Sequence, residues 1–93
     1  MTRWRHREAG LMVREVDGEI VILDTVSNRI HQLNATASAI WRACDVPTSV
    51  GQIAAVLADL FDVGEHVATA DARAALERFR ALDLLRAAPD DQG

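Results

Sequence analysis

The segment from residue 29 to residue 41, which reads RIHQLNATASAIW, contains the change from strand to helix that decides the fold. Its first five residues alternate as a short strand does, and Asn34 then offers a side-chain oxygen that can cap a helix. Apolar residues follow at helical spacing, namely Ala37, Ile40, Trp41 and Cys44. The segment therefore predicts a strand that leads directly into an amphipathic helix ending near Cys44.

The alternation within RIHQL leaves one conflict. Ile30 and Leu33 fall on opposite faces of a regular strand, so they cannot both point into the core. A bulge or an early end of the strand would resolve this, and the sequence does not decide between them.

Two further strands are predicted upstream. LMVREV (11–16) and EIVILD (19–24) are separated by Asp17-Gly18, a pair that favours a tight hairpin turn. The second of these strands carries apolar residues on both faces, which is typical of a central or doubly covered strand.

Downstream of the first helix, residues 45–47 (DVP) predict a break. Thr48 or Ser49 is predicted to cap the next helix, and Gln52 lies three residues after Ser49, as in a capping box. A second helix is predicted from its apolar stripe, which consists of Val50, Ile53, Leu57, Leu60 and Phe61. A third helix is predicted to start near Thr69 and Asp71, with an inner face of Ala72, Ala75, Leu76, Phe79 and Leu82. The order βββααα predicts an α+β fold with helices on one side of a small antiparallel sheet.

A chain of 93 residues forms one domain. We expect a flexible N-terminal arm over 1–10, the domain over 11–86 and a polar tail over 87–93. Trp4 within the arm either folds back onto the domain or stays free.

The formal net charge is −4 and all ten basic residues are Arg, which argues against nucleic acid as the partner. Cys44 is the single cysteine, so an internal disulfide is impossible and a reducing cytoplasm is the simplest compartment. The start has no apolar segment typical of a signal peptide, and no run approaches the ~18–20 apolar residues of a membrane span.

We find no catalytic constellation in the sequence. His6, His31 and His66 lie in separate segments without metal-ligand spacing, and Cys44 occupies a core position. The glycines form no phosphate-binding loop. We therefore expect a non-catalytic protein without cofactor or metal.

The stretches VILD (21–24), RIHQLNATASAIW (29–41), TSVGQIAAVLADLFDV (48–63) and LERFRALDLLR (76–86) together resemble the PqqD-like family, also called RiPP recognition elements. The resemblance runs from about Met12 to Arg86. Its most specific parts are Leu23-Asp24, Leu33-Asn34, Thr36 and Trp41.

The resemblance implies a winged-helix-like domain without catalysis of its own. Such a domain captures the leader segment of a ribosomally made precursor peptide and presents the peptide to a tailoring enzyme. The leader would add as a strand beside RIHQL and place side chains in a groove against the third helix. The implied peptide-binding residues are Arg29, Ile30, His31, Gln32 and Leu33 on the strand, and Arg73, Leu76, Glu77 and Arg80 on the helix.

Two positions depart from the family pattern. Ser27-Asn28 stand where a turn glycine is common, although Asn tolerates the left-handed conformation. Ile30 stands where the family often has an aromatic residue, which would alter the side-chain preference of the groove.

The physics of the strand edge supports peptide binding independently, because RIHQL has one Arg, no Pro and no later predicted strand to cover it.

Two other functions are compatible with the same elements. A DNA-binding winged helix would use Arg73, Arg78 and Arg80, and a dimerising subunit would pair its edge with a second copy. As partners for a peptide adaptor, we expect either the leader peptidase and cyclase of lasso-peptide synthesis, which we favour, or a radical-SAM enzyme of quinone-cofactor synthesis. The sequence leaves open whether the protein is a monomer or a dimer.

Overall fold

The computed structural model of the protein describes residues 2–88. It contains a three-stranded sheet, three helices and a separate two-stranded ribbon. The elements are β1 (Arg3–His6), β2 (Leu11–Val16), β3 (Glu19–Asp24), β4 (Arg29–Gln32), α1 (Ala35–Ala43), α2 (Val50–Phe61), α3 (Glu65–Ala81) and β5 (Leu85–Ala88). The predicted strands correspond to β2, β3 and β4, so the predicted α+β class and the three helices are confirmed.

The antiparallel sheet has the order β2-β3-β4, so β3 is central, as its apolar residues on both faces predicted. Asp17 and Gly18 both adopt positive φ, 52° and 82°, as a tight two-residue hairpin requires. Asn28 takes φ 60° in the turn before β4, the left-handed conformation that asparagine was expected to tolerate there. Residues that tolerate positive φ therefore occupy both turns of the sheet.

The helices pack on the inner face of the sheet, and both predicted caps are present. Asn34 accepts a hydrogen bond from Ala37 N at 2.8 Å, and Ser49 forms a capping box with Gln52. The buried apolar core combines residues from β3, from all three helices and from the segment that follows α3. Its largest members include Ile22, Ile40, Trp41, Ile53, Leu57, Phe79, Leu84 and Leu85. Leu33 and Cys44 are buried with them, as predicted for Cys44.

Two predictions about the second and third helices were wrong. Leu60 and Phe61 were assigned to the buried stripe of α2, but they are 61% and 39% exposed. α2 ends there, because Asp62 takes a left-handed conformation that turns the chain towards α3. α3 begins at Glu65 after Gly64, four residues before Thr69, with the Glu65 carboxylate at the favourable end of the helix dipole.

The prediction of a flexible arm over 1–10 was also wrong. Arg3–His6 form β1, which pairs antiparallel with β5 and extends the predicted order βββααα by one strand at each end. Trp4 exchanges two backbone hydrogen bonds with Thr48, at 2.7 and 3.0 Å. The strand partners of β1, Leu85–Ala88 and Thr48, are more than 40 residues away along the chain, which explains why local patterns did not reveal it. Of the predicted tail, Ala87 and Ala88 belong to β5, and its other residues, including the predicted stop at Pro89, lie outside the described range.

Within residues 2–88, no helix has the length and apolar character needed to cross a membrane.

Candidate functional site

The strand β4 offers one unpaired edge. Within residues 2–88, β4 pairs with β3 on one side and with no strand on the other. The Leu33 amide donates to the Ile20 carbonyl at 2.9 Å, which sets the alternation of the antiparallel ladder. By that alternation Arg29 and His31 direct their backbone groups to β3, while Ile30 and Gln32 direct their N–H and C=O groups to the free edge.

Ser38 of α1 fixes the point where β4 leaves the sheet. Its buried hydroxyl accepts a hydrogen bond from Ile20 N at 2.8 Å and donates one to the Leu33 carbonyl at 3.2 Å. The hydroxyl thus bridges the Ile20 N–H and the Leu33 carbonyl, in place of the second direct bond that this residue pair would otherwise form, where the chain turns into α1. The conflict in RIHQL is resolved by the exposure of Ile30: the alternation stays regular up to Leu33, which is buried, while Ile30 on the other face is 71% exposed.

The side chains of β4 divide between the two faces of the sheet. Ile30 lies opposite Leu23, and Gln32 lies opposite Val21, on the face away from the helices. Arg29 and His31 point to the helical side, where Leu33 enters the core. A strand added to the free edge would divide its own side chains in the same way, so every second one would face the helices.

A cavity of about 380 Å³ lies on the helical side, where β4 continues into α1. Eight residues line it: Asn34, Thr36, Ala37, Ile40, Asp71, Ala74, Ala75 and Arg78. Small and apolar side chains form half of the lining, with Ala74 and Ala75 contributed by α3. Asp71 and Arg78 add one charge of each sign. Its lining includes Asn34, two residues after the end of β4, and no residue of β4 itself.

The four helix residues predicted from the resemblance lie elsewhere. Arg73, Leu76, Glu77 and Arg80 line a separate cavity of about 280 Å³ together with Trp4 and Val50. The structure therefore brings these four residues together around one cavity, and the lining of this cavity, like that of the cavity at Asn34, contains no residue of β4.

The predicted helix residues and the residues of the cavity at Asn34 lie on different faces of α3, because the two sets are shifted by two positions along the helix. The sets 71, 74, 75, 78 and 73, 76, 77, 80 have the same i, i+3, i+4, i+7 spacing, and a shift of two positions rotates a helix face by about 200°. Asp71, Ala74 and Arg78 line the cavity at Asn34 and were not among the residues predicted from the sequence. Arg78 also lies apart from Arg73 and Arg80, so these arginines form no single basic face.

The sheet has a second free edge, which the sequence reasoning did not consider. Within the described part of the chain, β2 pairs only with β3. A cavity of about 400 Å³ beside β2 is lined mainly by the arm and by charged groups, namely Arg5, His6, Arg7, Glu8, Leu11, Val13, Trp41 and Asp45. Arg42 crosses from α1 to bond with Glu15 and the Gly18 carbonyl.

A buried ion pair holds the turn between β3 and β4. The Arg7 guanidinium binds both carboxylate oxygens of Asp24, at 2.8 and 3.2 Å, and lowers the pKa of this carboxyl group far below its usual range. Asp24 in turn accepts hydrogen bonds from the amides of Val26 and Ser27 at 3.0 and 3.2 Å. This arrangement shapes the backbone immediately before the free edge.

Cys44 and His6, which could act as a nucleophile or a ligand, are engaged in structural roles. Burial raises the pKa of the Cys44 thiol to about 12, so the reactive thiolate is strongly disfavoured. The His6 ring stacks on Trp41 with centroids 3.8 Å apart and donates through Nε2 to the Trp41 carbonyl. Over residues 2–88, no group of three or more His, Cys, Asp or Glu side chains is arranged to hold a metal ion.

A small α+β domain with an open strand edge beside a helical cavity defines a class of peptide-binding modules that act by strand addition. The profile of the PqqD family, described as coenzyme PQQ synthesis protein D, matches residues 19–85. The chain therefore belongs to the PqqD family, as the resemblance in the sequence indicated. No curated protein matches it.

Two solved structures are similar to the chain. One is described as TbiB1 in complex with the TbiA(beta) leader peptide, with a TM-score of 0.80 and 20% identity over 92% of this chain and 99% of that chain. The other is described as lasso peptide synthetase B1 complexed with the leader peptide, with a TM-score of 0.78 and 25% identity over 89% of this chain and 96% of that chain. The first shows a shared fold, and the second adds a modest sequence relationship.

Proposed function

We propose that the protein is a non-catalytic adaptor that binds the leader segment of a ribosomally synthesised precursor peptide and presents the peptide to a modifying enzyme. The observation that carries this proposal is the unpaired edge of β4 next to the cavity between α1 and α3. An edge without a cavity offers only main-chain bonds, whereas this edge also offers a place for side chains.

In this proposal the leader forms a fourth strand beside β4. Ile30 and Gln32 supply main-chain donors and acceptors, and their side chains flank the leader on the outer face. Inward-facing leader side chains enter the cavity lined by Ala37, Ala74 and Ala75. Arg29, His31 and Leu33 support the strand from the helical side.

The assignment to a precursor leader draws on the family and on the solved structures. The similar structure described as lasso peptide synthetase B1 holds a leader peptide and is 25% identical to this chain. That similarity supports a lasso-type pathway, with a leader peptidase and a cyclase as partners. The family description names PQQ synthesis, which would instead pair the domain with a radical-SAM enzyme.

The absence of catalysis is part of the proposal. Cys44 is buried within the core and His6 is engaged with Trp41, so neither is available to a substrate. We also propose a cytoplasmic location, since ribosomal peptides meet their first tailoring enzymes there and a free thiol suits a reducing compartment.

The test is an NMR titration of the isotope-labelled full chain. The probes are synthetic peptides that cover the first half of each short peptide encoded beside its gene, with scrambled versions as controls. We expect amide shifts at Ile30 and Gln32 and around Ala74 and Ala75. We expect a Kd tighter than about 100 μM, which is about −5.5 kcal/mol. Shifts confined to the β2 edge, or to the cavity around Arg73 and Arg80, would overturn the proposed site.

A further inference from the structure

Arg7 is the most heavily engaged side chain of the N-terminal arm. Its side chain is 9% exposed and that of Asp24 is 3% exposed, so the pair is almost completely withdrawn from water. Besides the two bonds to Asp24, the guanidinium donates to the carbonyls of Ala9, Gly10 and Asp83. A rigid bidentate guanidinium with this many acceptors is fixed in position.

Asp24 transmits that position to the turn before β4. Its Oδ1 atom accepts from Arg7 Nη2 at 2.8 Å and from the amides of Val26 and Ser27 at 3.0 and 3.2 Å. Asp24 is also the last residue of β3, and its backbone pairs with that of Arg29 in β4. One carboxylate therefore sets both the shape of the turn and the start of the free edge.

Gly10 adds a second contact between the arm and the same turn. Its carbonyl accepts from the amide and the hydroxyl of Thr25, at 2.8 and 3.0 Å. Gly10 has φ +80°, and a Cβ atom there would lie 2.8 Å from a methyl carbon of Val26. The arm can approach the turn this closely only with a glycine at this position.

We propose that Arg7 is a positioning residue for the peptide-binding edge: the docked arm holds the β3–β4 turn so that Ile30 and Gln32 present their main-chain groups in the register that a peptide strand needs. This inference rests on the proposed function of β4. It concerns a residue outside the 19–85 range that the family profile matches.

The length of β4 makes this dependence physically reasonable. The strand has four residues and is held at one end by Ser38 and at the other by the turn that Asp24 shapes. Strand addition requires correctly spaced donors and acceptors, so a shift of the turn changes every bond the edge can offer.

The molecule supplies a matched control at the opposite end of the sheet. Arg42 forms an ion pair with Glu15 and donates to the Gly18 carbonyl, and so it contacts the β2–β3 turn much as Arg7 contacts the β3–β4 turn. Arg42 joins α1 to the β2–β3 turn, and Arg7 joins the arm to the β3–β4 turn. Only Arg7 therefore contacts the turn that leads into β4.

The experiment compares Arg7→Met, Arg7→Lys and Arg42→Met in the full chain, using the peptide probe that binds the unmodified protein best. Circular dichroism first verifies that each variant is folded at the titration temperature. We expect Arg7→Met to weaken peptide binding about tenfold or more and to shift the amides of Val26, Ser27 and Ile30 in the free protein. Arg7→Lys should recover part of the affinity, and Arg42→Met should bind as the unmodified protein does.

A second variant covers the case in which Arg7→Met does not fold because it leaves the Asp24 carboxylate buried and unpaired. The double variant Arg7→Met with Asp24→Asn removes both charges and should fold, yet still bind weakly because no guanidinium fixes residue 24. Parent-like affinity in any folded variant with Met at position 7 would overturn the inference while leaving β4 as the binding edge. If the unmodified protein binds the probe away from β4, the proposed function and this inference both fail.

Discussion

The two edges of the three-stranded sheet have the same backbone chemistry but different surroundings. β2 is the longer edge, with six residues to the four of β4, and Met12, Val13 and Val16 are about half exposed along it. The cavity next to β2 is lined mainly by the arm and by charged groups, whereas four of the eight residues that line the cavity near the end of β4 are apolar, namely Ala37, Ile40, Ala74 and Ala75. Strand addition gives little selectivity without side-chain pockets, so a free edge becomes a peptide site only where the adjoining surface can bury side chains.

The most direct test of the difference between the two edges is to place a proline in each of them. Ile30→Pro removes a main-chain donor that faces outward from β4, and it should weaken peptide binding at least about a hundredfold while preserving the fold. Val13→Pro removes the equivalent outward donor from β2 and should leave binding unchanged. Isothermal titration calorimetry with the peptide probe measures both.

The reverse result, in which Val13→Pro abolishes binding and Ile30→Pro does not, would move the site to β2. His31→Pro is a third, informative variant. His31 directs its N–H towards Ile22, so this proline should destabilise the sheet itself and lower the thermal midpoint.

The cavity beside β4 is tested next. Ala74→Phe should fill the space between α1 and α3 and weaken peptide binding about tenfold, because inward-facing peptide side chains lose their place. Ala70→Phe is the matched control: Ala70 is also an exposed alanine of α3, but it lines a different cavity with Glu65 and His66. Equal affinity losses in the two variants would show that the aromatic residue acts on the helix and not on the cavity.

The difference between the two edges also shows what a sequence can reveal. The hairpin at Asp17-Gly18, the cap at Asn34 and the run RIHQL are local signals, and each predicted its element correctly. The β1–β5 ribbon depends on pairing between Arg3–His6 and Leu85–Ala88, which no local pattern encodes. Helical periodicity on α3 likewise identified residues that share a face and line one cavity, but it does not say which other elements that face adjoins.

A further difference between the two edges is Ser38, whose hydroxyl holds the end of β4; in the described structure no equivalent side chain holds the end of β2. Ser38→Ala leaves the buried Ile20 amide without its acceptor, and this should cost about 1–3 kcal/mol of unfolding free energy. Chemical denaturation measures the loss. Since the same hydroxyl also contacts the Leu33 carbonyl at the end of β4, we expect a small additional loss of peptide affinity. Unchanged stability would mean that another group satisfies the Ile20 amide.

The smallest expected effect is a pH dependence located beside the β2 edge. Burial is the main cause that lowers the pKa of His6 below its ordinary 6.5, although the hydrogen bond to Trp41 and the charge of Asp45 partly oppose it. Because the unfolded chain then takes up the proton more readily, the stability that His6 contributes is present above pH 6.5. It is lost progressively as the pH falls towards the lowered pKa of the folded protein. Arg7 and Asp24 stay charged through this window, since the pKa of Asp24 is lowered from 3.8.

Urea denaturation between pH about 7.5 and about 5.5 should therefore show a decline in stability that His6→Phe removes. The phenylalanine ring keeps the stacking on Trp41 but cannot titrate. His66→Gln is the control, because His66 is exposed on α3 and its replacement should leave the decline intact. If the decline persists in His6→Phe and disappears in His66→Gln, the acid sensitivity belongs to the face of α3 and not to the arm beside β2.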